Sequence, residues 1–400
     1  MRFLLLALLL LCQASWAAPR QLDEYHWTGV DRIVAIGDLH GDYGNYLAAL
    51  RAAGVVDAQG HWIAGDTHLV QTGDIPDRGP DTRRIIVHMG QLAKEAAKRG
   101  GRVHNLMGNH EAMNVYGDLR YVVDGEFAAF ADKRSAARRN RYFAAVMESL
   151  QRSDPDARQS LPADYRQTWD REHPLGWVEH RAAWDPRWNA QGEMYAWTMQ
   201  TQVAVQLDDL VFVHGGIGNA YCGNSLESLT AMAREKLRLA DPANLGILED
   251  ERGPLWYRGL AGVAPATPVE VVDAVLKQHG ARRIVIGHTP TSGVVWPRLD
   301  GRVVMIDTGL SAAHGGHVGW LEVTRGELVA GYRGGRVPLP KDDAGRADYL
   351  DQVIALDPGN EALVKRREAL RAGNADPAPT AAEASATPAP TATITCDISR

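Results

Sequence analysis

Arg32-Ile33-Val34-Ala35-Ile36 runs directly into Gly37-Asp38-Leu39-His40-Gly41: an apolar run fit for a buried strand, then a glycine-bracketed turn carrying a carboxylate and an imidazole. The same arrangement returns twice. Thr67 to Thr72 (THLVQT) precedes Gly73-Asp74-Ile75-Pro76-Asp77-Arg78-Gly79, and Val103 to Met107 (VHNLM) precedes Gly108-Asn109-His110-Glu111. Apolar runs of this length bounded by glycine read as strands that end in sharp turns. Together with intervening helical patterns they predict a layered α/β fold. In open α/β sheets, ligands gather at the carboxyl ends of the strands. Asp38, His40, Asp74, Asn109 and His110 can therefore meet at one sheet edge, and oxygen plus imidazole donors suit hard or borderline divalent metals.

Two later stretches extend the pattern. Asp209 to His214 (DLVFVH) enters His214-Gly215-Gly216, and Arg283 to His288 (RIVIGH) enters Gly287-His288-Thr289-Pro290. Taken singly, a histidine after a strand is more often structural than a ligand, and an aspartate there is more often a helix N-cap. Five strand-then-Asp/Asn/His turns in one chain favour a metal centre.

From about Asp31 to Gly331 the chain resembles the calcineurin-like metallophosphoesterases, within them the phosphoprotein phosphatase family, and most closely its Shewanella-like protein phosphatase branch. The finer match rests on Gly65-Asp66-Thr67, on Gly108-Asn109-His110-Glu111-Ala112-Met113-Asn114 continuing to Gly117-Asp118-Leu119-Arg120-Tyr121-Val122, and on Arg252-Gly253-Pro254-Leu255-Trp256-Tyr257-Arg258-Gly259. The resemblance implies a two-sheet α/β/β/α sandwich with the metals at the sheet edges. It implies that Asp38, His40 and Asp74 hold a first metal ion, that Asp74 bridges to a second, and that Asn109, His214 and His288 complete that second site. His110 would protonate the leaving oxygen, with Asp77 holding its ring. Arg78 and Arg258 would grip the phosphate. A metal-bridging hydroxide would attack the ester directly. Manganese is the expected metal pair, with iron–zinc as the alternative.

Two departures sharpen the reading. Gly287-His288-Thr289-Pro290 lacks the second histidine of the Gly-His-x-His motif found in many relatives, which favours the protein-phosphatase type over nucleases and phosphodiesterases. Met107 stands where eukaryotic Ser/Thr phosphatases carry an arginine before Gly-Asn-His-Glu, which fits the bacterial-type branch. The expected activity is a phosphomonoesterase, a protein phosphatase for phosphotyrosine or phosphoserine/threonine. The alternatives are a small-molecule phosphomonoesterase, a symmetrical dinucleoside tetraphosphate hydrolase and, from another class, a non-catalytic metal-binding scaffold. Glu111 reads as structural, a carboxylate able to satisfy free N–H groups at a helix start.

The first residues give an address. Arg2, then Phe3 to Leu11 (FLLLALLLL), then Ser15-Trp16-Ala17 form a cleavable signal peptide over residues 1–17, too short for the roughly 20 apolar residues of a membrane span. With the bacterial-type resemblance this predicts a periplasmic or secreted protein. The net charge of −6, one unit more negative once Arg2 is removed, offers no basic stripe for nucleic acid. No oligomeric state is implied. Cys222 and Cys396 remain after cleavage; an oxidising compartment permits a disulfide, but free thiols are the preferred reading, since Cys396 lies in an Ala/Pro/Thr/Ser tail.

The expected organisation is a catalytic domain over 28–335, interrupted by a helical cap at 124–200, then a helical segment at 336–372 and a disordered tail at 373–400. Helices are predicted over Asn45–Ala53, Arg83–Arg99 and Pro268–Gln278, and late strands over Val303–Thr308 and Val318–Val323. In the cap, Arg134, Arg138, Arg139 and Arg141 read as a solvated helix face. Trp169, Trp177, Trp184, Trp188 and Trp197 read as cap packing, with the bolder alternative that some wall the pocket and stack on an aromatic phosphoester. His314 and His317 fall in a Gly-rich loop and are not counted as ligands.

Overall fold

The computed structural model describes residues 20–156, 160–263, 266–374, 376 and 396. The signal-peptide reading at 1–17 and most of the tail lie outside these residues.

Two mixed sheets organise the chain. The first has the order β13-β12-β11-β3-β4-β5, with β3 (Arg32–Ile36), β4 (His68–Gln71) and β5 (Arg102–Asn105) parallel, and β11 (Gly319–Thr324), β12 (Glu327–Tyr332) and β13 (Gly335–Pro338) added antiparallel. The second runs β1-β2-β6-β7-β8-β10-β9, comprising β1 (Arg20–Gln21), β2 (His26–Thr28), β6 (Ala204–Leu207), β7 (Leu210–Val213), β8 (Arg283–Ile286), β9 (Trp296–Arg298) and β10 (Val303–Met305). Within it β7, β8 and β10 are parallel. Every residue of β4, β6 and β7 is buried, as expected of strands covered on both faces. Helices Tyr43–Ala52 and Thr82–Ala97 pack on the first sheet, and Leu226–Leu239 on the second. The sheets meet near the third turn, where the Met107 N–H donates to Gln202 O at 2.8 Å, and beside β9, where the Val295 N–H donates to the hydroxyl of Tyr332 on β12 at 3.1 Å.

Element ends differ from expectation by a residue or two where caps intervene. The first helix begins at Tyr43 because the Asp42 carboxylate accepts the Asn45 N–H. The helical segment expected at 336–372 is instead the end of β13 followed by two helices, Arg346–Leu356 and Glu361–Arg371, separated at Pro358-Gly359 and restarted by the Asn360 side chain. The stretch before the first strand carries the short β1–β2 hairpin, and β6, β9, β12 and β13 were not expected.

Between β5 and β6 the chain forms helices Asp124–Ala128, Ser135–Ser153, Tyr165–Glu172, Trp177–Trp184 and Glu193–Thr198, the last two packing on helix Asn109–Tyr116. The tryptophans pack within this block. Tyr142 stacks on Trp177 at 5.4 Å and contacts Trp169 and Trp188, while Trp184 meets Trp197 edge-on. The arginines are not all solvated: Arg138 pairs with Asp132 and Glu179, and Arg139 with Asp170.

Two tail residues correct the sequence reading. Cys222 and Cys396 form a disulfide with Cα atoms 5.9 Å apart, so the free-thiol preference fails. Asp376 is held as well. It accepts from Trp296 Nε1 at 2.8 Å and from Arg366 Nε at 2.8 Å, and lies 3.4 Å from Arg346 and 3.7 Å from Arg298. Composition counts apolar surface; it is blind to one carboxylate that meets three guanidinium groups.

Candidate active site

The turns after β3, β4 and β5 interlock through their backbones. Asp74 O accepts the N–H groups of Leu39 and His40 at 2.9 and 3.0 Å. Gly73 sits at φ 101°, and a Cβ there would lie 2.6 Å from Gly108 N, so only glycine lets the second and third turns touch. Glu111 ties both together. Its carboxylate accepts from Asp74 N, Ile75 N and Gly108 N at 2.9, 2.8 and 2.8 Å. His40, Asp74, Asp77, Arg78 and His288 all hold positive φ without being glycine, a conformation that persists only where the surroundings enforce it.

Three imidazoles share one arrangement. His214 Nδ1 faces Thr72 O at 2.9 Å, His40 Nδ1 faces Pro76 O at 3.1 Å, and His288 Nε2 faces Trp256 O at 3.1 Å. A ring that donates one N–H to a carbonyl turns its other nitrogen's lone pair inward, the usual setting of a metal-ligating histidine. At His214 the consequence is direct. Its Nε2 lies 3.0 Å from Asn109 Oδ1 and 3.2 Å from Asp74 Oδ2. With the proton on Nδ1, three acceptors converge with no hydrogen among them, a donor set that fits a cation.

Charge points the same way. Burial, together with Asp307 and Asp74, pushes Asp38 well above the usual carboxylate range, and burial lifts Asp307 to about 6. Burial opposes the Asp74 anion too; positive charge beside it, on the imidazoles of His214 and His110 or on a cation among these acceptors, holds its pKa well below ordinary. Burial first, then His110 for His40 and Arg258 for His288, keeps these two rings neutral, the form that ligates.

His110 differs from its neighbours. Its Nδ1 is bonded to Asp77 Oδ2, and Nε2 points inward, 3.9 Å from Asp74 Oδ2. Burial disfavours its cation, but Asp74 and Asp77 outweigh that and raise its pKa. Asn114 Nδ2 donates to Asp77 Oδ1 at 2.9 Å, and Glu126 accepts the Asp77 N–H at 3.1 Å.

The family model for calcineurin-like phosphoesterases matches residues 31–292. The chain belongs to the calcineurin-like phosphoesterase family. This phosphoesterase is 34% identical over 324 residues to an uncharacterized protein of Schizosaccharomyces pombe, covering 77% of this chain and 82% of that one. It is 26% identical over 302 residues to Shewanella-like protein phosphatase 2 of Arabidopsis thaliana, covering 70% and 72%. Its structure is similar to that of the cold-active protein-tyrosine phosphatase of a psychrophilic Shewanella, with TM-score 0.59 and 26% identity over 80% of this chain and 83% of that one. Family and relatives make it a metal-dependent phosphoester hydrolase of α/β type, similar to the Shewanella-like phosphatases.

Among the described residues, the phosphoesterase gathers donor atoms in two groups, each within 4.8 Å: His40, Asp74 and His110, and Asp74, His214 and His288. Asp38 lies at the same edge, but its Oδ1 accepts the His288 N–H at 3.1 Å. Arg78 and Arg258 are both half-buried, Arg78 beside His110 and Tyr121, Arg258 donating to His288 O at 2.7 Å. His314, set aside as a loop residue, packs its ring 4.9 Å from that of His40, whereas His317 turns to Asp357 at 3.6 Å.

Several site neighbours escaped the sequence reading. Asn114 lies four residues after His110 on one helix face, a spacing that puts both side chains together. Asp307 follows β10 as Asp38 and Asp74 follow their strands, so its signal was present and unread. Glu126 gave no signal, because its link to Asp77 spans 49 residues.

Proposed function

We propose that the mature chain is a secreted or periplasmic two-metal phosphomonoesterase acting as a protein phosphatase, with phosphotyrosine ahead of phosphoserine and phosphothreonine. The observation that carries this is the convergence of His214 Nε2, Asn109 Oδ1 and Asp74 Oδ2 beside the inward-facing Nε2 of His110. Asp38, His40 and Asp74 would hold one ion, and Asp74, Asn109, His214 and His288 the other, with manganese first and iron–zinc as alternative. Such a pair, when bound, supplies water activated near neutral pH and a clamp on the attacking and leaving oxygens.

The remaining work falls to the chain. His110 keeps a proton on Nε2 and passes it to the leaving oxygen, while Asp77 and Asn114 fix the ring. Arg78 and Arg258 orient the phosphate from two sides. The similarity to a protein-tyrosine phosphatase supports the substrate class, and the apolar leader and the disulfide support an oxidising address.

The test is a steady-state assay of metal-stripped mature protein reloaded with Mn²⁺. The substrates are phosphotyrosine and phosphoserine peptides, a dinucleoside tetraphosphate and a panel of small monoesters. Metal-dependent release led by phosphotyrosine supports the proposal. Preference for the dinucleotide or small esters replaces the substrate. Two bound metals with no turnover of any of them leaves the scaffold reading in its place.

A further inference from the structure

Tyr121 touches both halves of the site. Its carbonyl accepts the Arg78 N–H at 2.9 Å, and the Arg78 guanidinium lies 4.5 Å over its ring. The same ring is 5.1 Å from that of His110, tilted by 42°. Tyr121 is half-buried, whereas His110 is 4% exposed, so the tyrosine reaches solvent beside the buried proton donor.

We propose that Tyr121 is the specificity-determining platform against which the leaving group's aromatic ring packs, so that this residue sets the preference for aryl over alkyl phosphomonoesters. This rests on the phosphomonoesterase reading above and on His110 as the acid. The Nδ1–Asp77 bond leaves His110 Nε2 as the atom that meets the leaving oxygen, at about 3 Å when it delivers its proton. An aryl ring bonded to that oxygen is centred only a few ångströms further out. That places it within the roughly 4.5–7 Å at which aromatic rings attract one another, with Tyr121 as the neighbouring face. A serine ester puts one methylene there and makes no ring–ring contact.

The other aromatic groups are less well placed. Trp256 stands edge-on to His288 at 5.9 Å, with its Nε1–H bonded to Leu248 O. The cap residues Trp169, Trp177 and Trp188 are occupied with Tyr142.

The experiment compares wild type, Tyr121→Leu, Tyr121→Phe and Tyr121→Trp. The readouts are the ratio of kcat/KM for phosphotyrosine peptide over phosphoserine peptide, and the ratio of inhibition constants for benzylphosphonate and methylphosphonate. Tyr121→Leu is expected to lower the aryl preference about 3- to 10-fold in both ratios, the range that one ring–ring contact supplies. Tyr121→Phe should keep it within about twofold, because the face and not the hydroxyl carries it. Ratios that do not move with Leu, or that fall equally with Phe, overturn the proposal. Should the Leu variant fail to fold, Tyr121→Trp decides: a larger face raises the ratios, and unchanged ratios overturn the platform. Wild-type protein inactive on every monoester refutes the underlying reading instead, while benzylphosphonate binding still reports on the platform.

Discussion

His110 and Asp77 meet across 33 residues, imidazole Nδ1 to carboxylate Oδ2, with Asp77 fully buried and its second oxygen held by Asn114. The ring can neither rotate nor offer its other nitrogen anywhere but inward. His110→Asn should lower kcat about 100-fold or more for phosphoserine peptide, where the leaving alkoxide needs a proton. For p-nitrophenyl phosphate, whose leaving group needs none, the loss should be far smaller. Equal losses on both would remove His110 from the acid role.

Gly108 bears on the metals without touching them. A Cβ there would meet the Asp74 backbone N at 2.6 Å and its carboxylate more closely still. Gly108→Ala is expected to lower Mn²⁺ affinity at least 10-fold, since displaced ligand geometry costs affinity of this order. Calorimetric titration of the stripped variant provides the check, with far-UV circular dichroism to confirm folding.

Acid should destabilise this fold through buried neutral histidines. Burial, aided by Arg102, brings His68 down to about 4; burial, aided by Arg181, brings His180 down to about 3. Unfolded, each takes up a proton below about 6.5. The unfolded chain therefore binds more protons between these values, and stability, complete above pH 6.5, falls as pH drops through that window. His68 alone should account for about 2 kcal/mol by pH 5. Urea denaturation of metal-free His68→Gln and wild type at pH 7 and 5 tests this: the variant should lose less on acidification.

The Cys222–Cys396 bond closes a loop with a sequence separation of 174. Chain-entropy arguments give such a crosslink up to about 5 kcal/mol, by restricting the unfolded chain. Cys222→Ser or a reductant should lower the urea midpoint accordingly. A midpoint indifferent to both would mean that the crosslink adds no stability.

The turns that gather the candidate site were legible because their chemistry is local. A strand, a glycine and a donor within five residues describe Asp38 or His214 without help from the rest of the chain. Helix limits were nearly as local, failing mainly where Pro358-Gly359 split one expected segment. What stayed hidden depends on distance along the chain. Glu126 reaches Asp77, and Cys396 reaches Cys222, through pairings that no window of sequence contains. Tyr121 lay inside a quoted motif, but its nearness to Arg78 comes from two turns folding together. The tryptophans show the converse: conspicuous in sequence, they mostly serve one another.

The Asp376 carboxylate sets a practical limit on where this protein can be cut. A truncation point chosen from composition, at Gly373, would discard that anion and leave Arg298, Arg346 and Arg366 crowded beside Trp296 with their shared counter-charge gone. Like-charged groups so confined repel, and an unpaired buried cation costs far more than a trimmed Ala/Pro tail would suggest. Insolubility of such a shortened protein would then report a lost ion cluster rather than a misjudged domain.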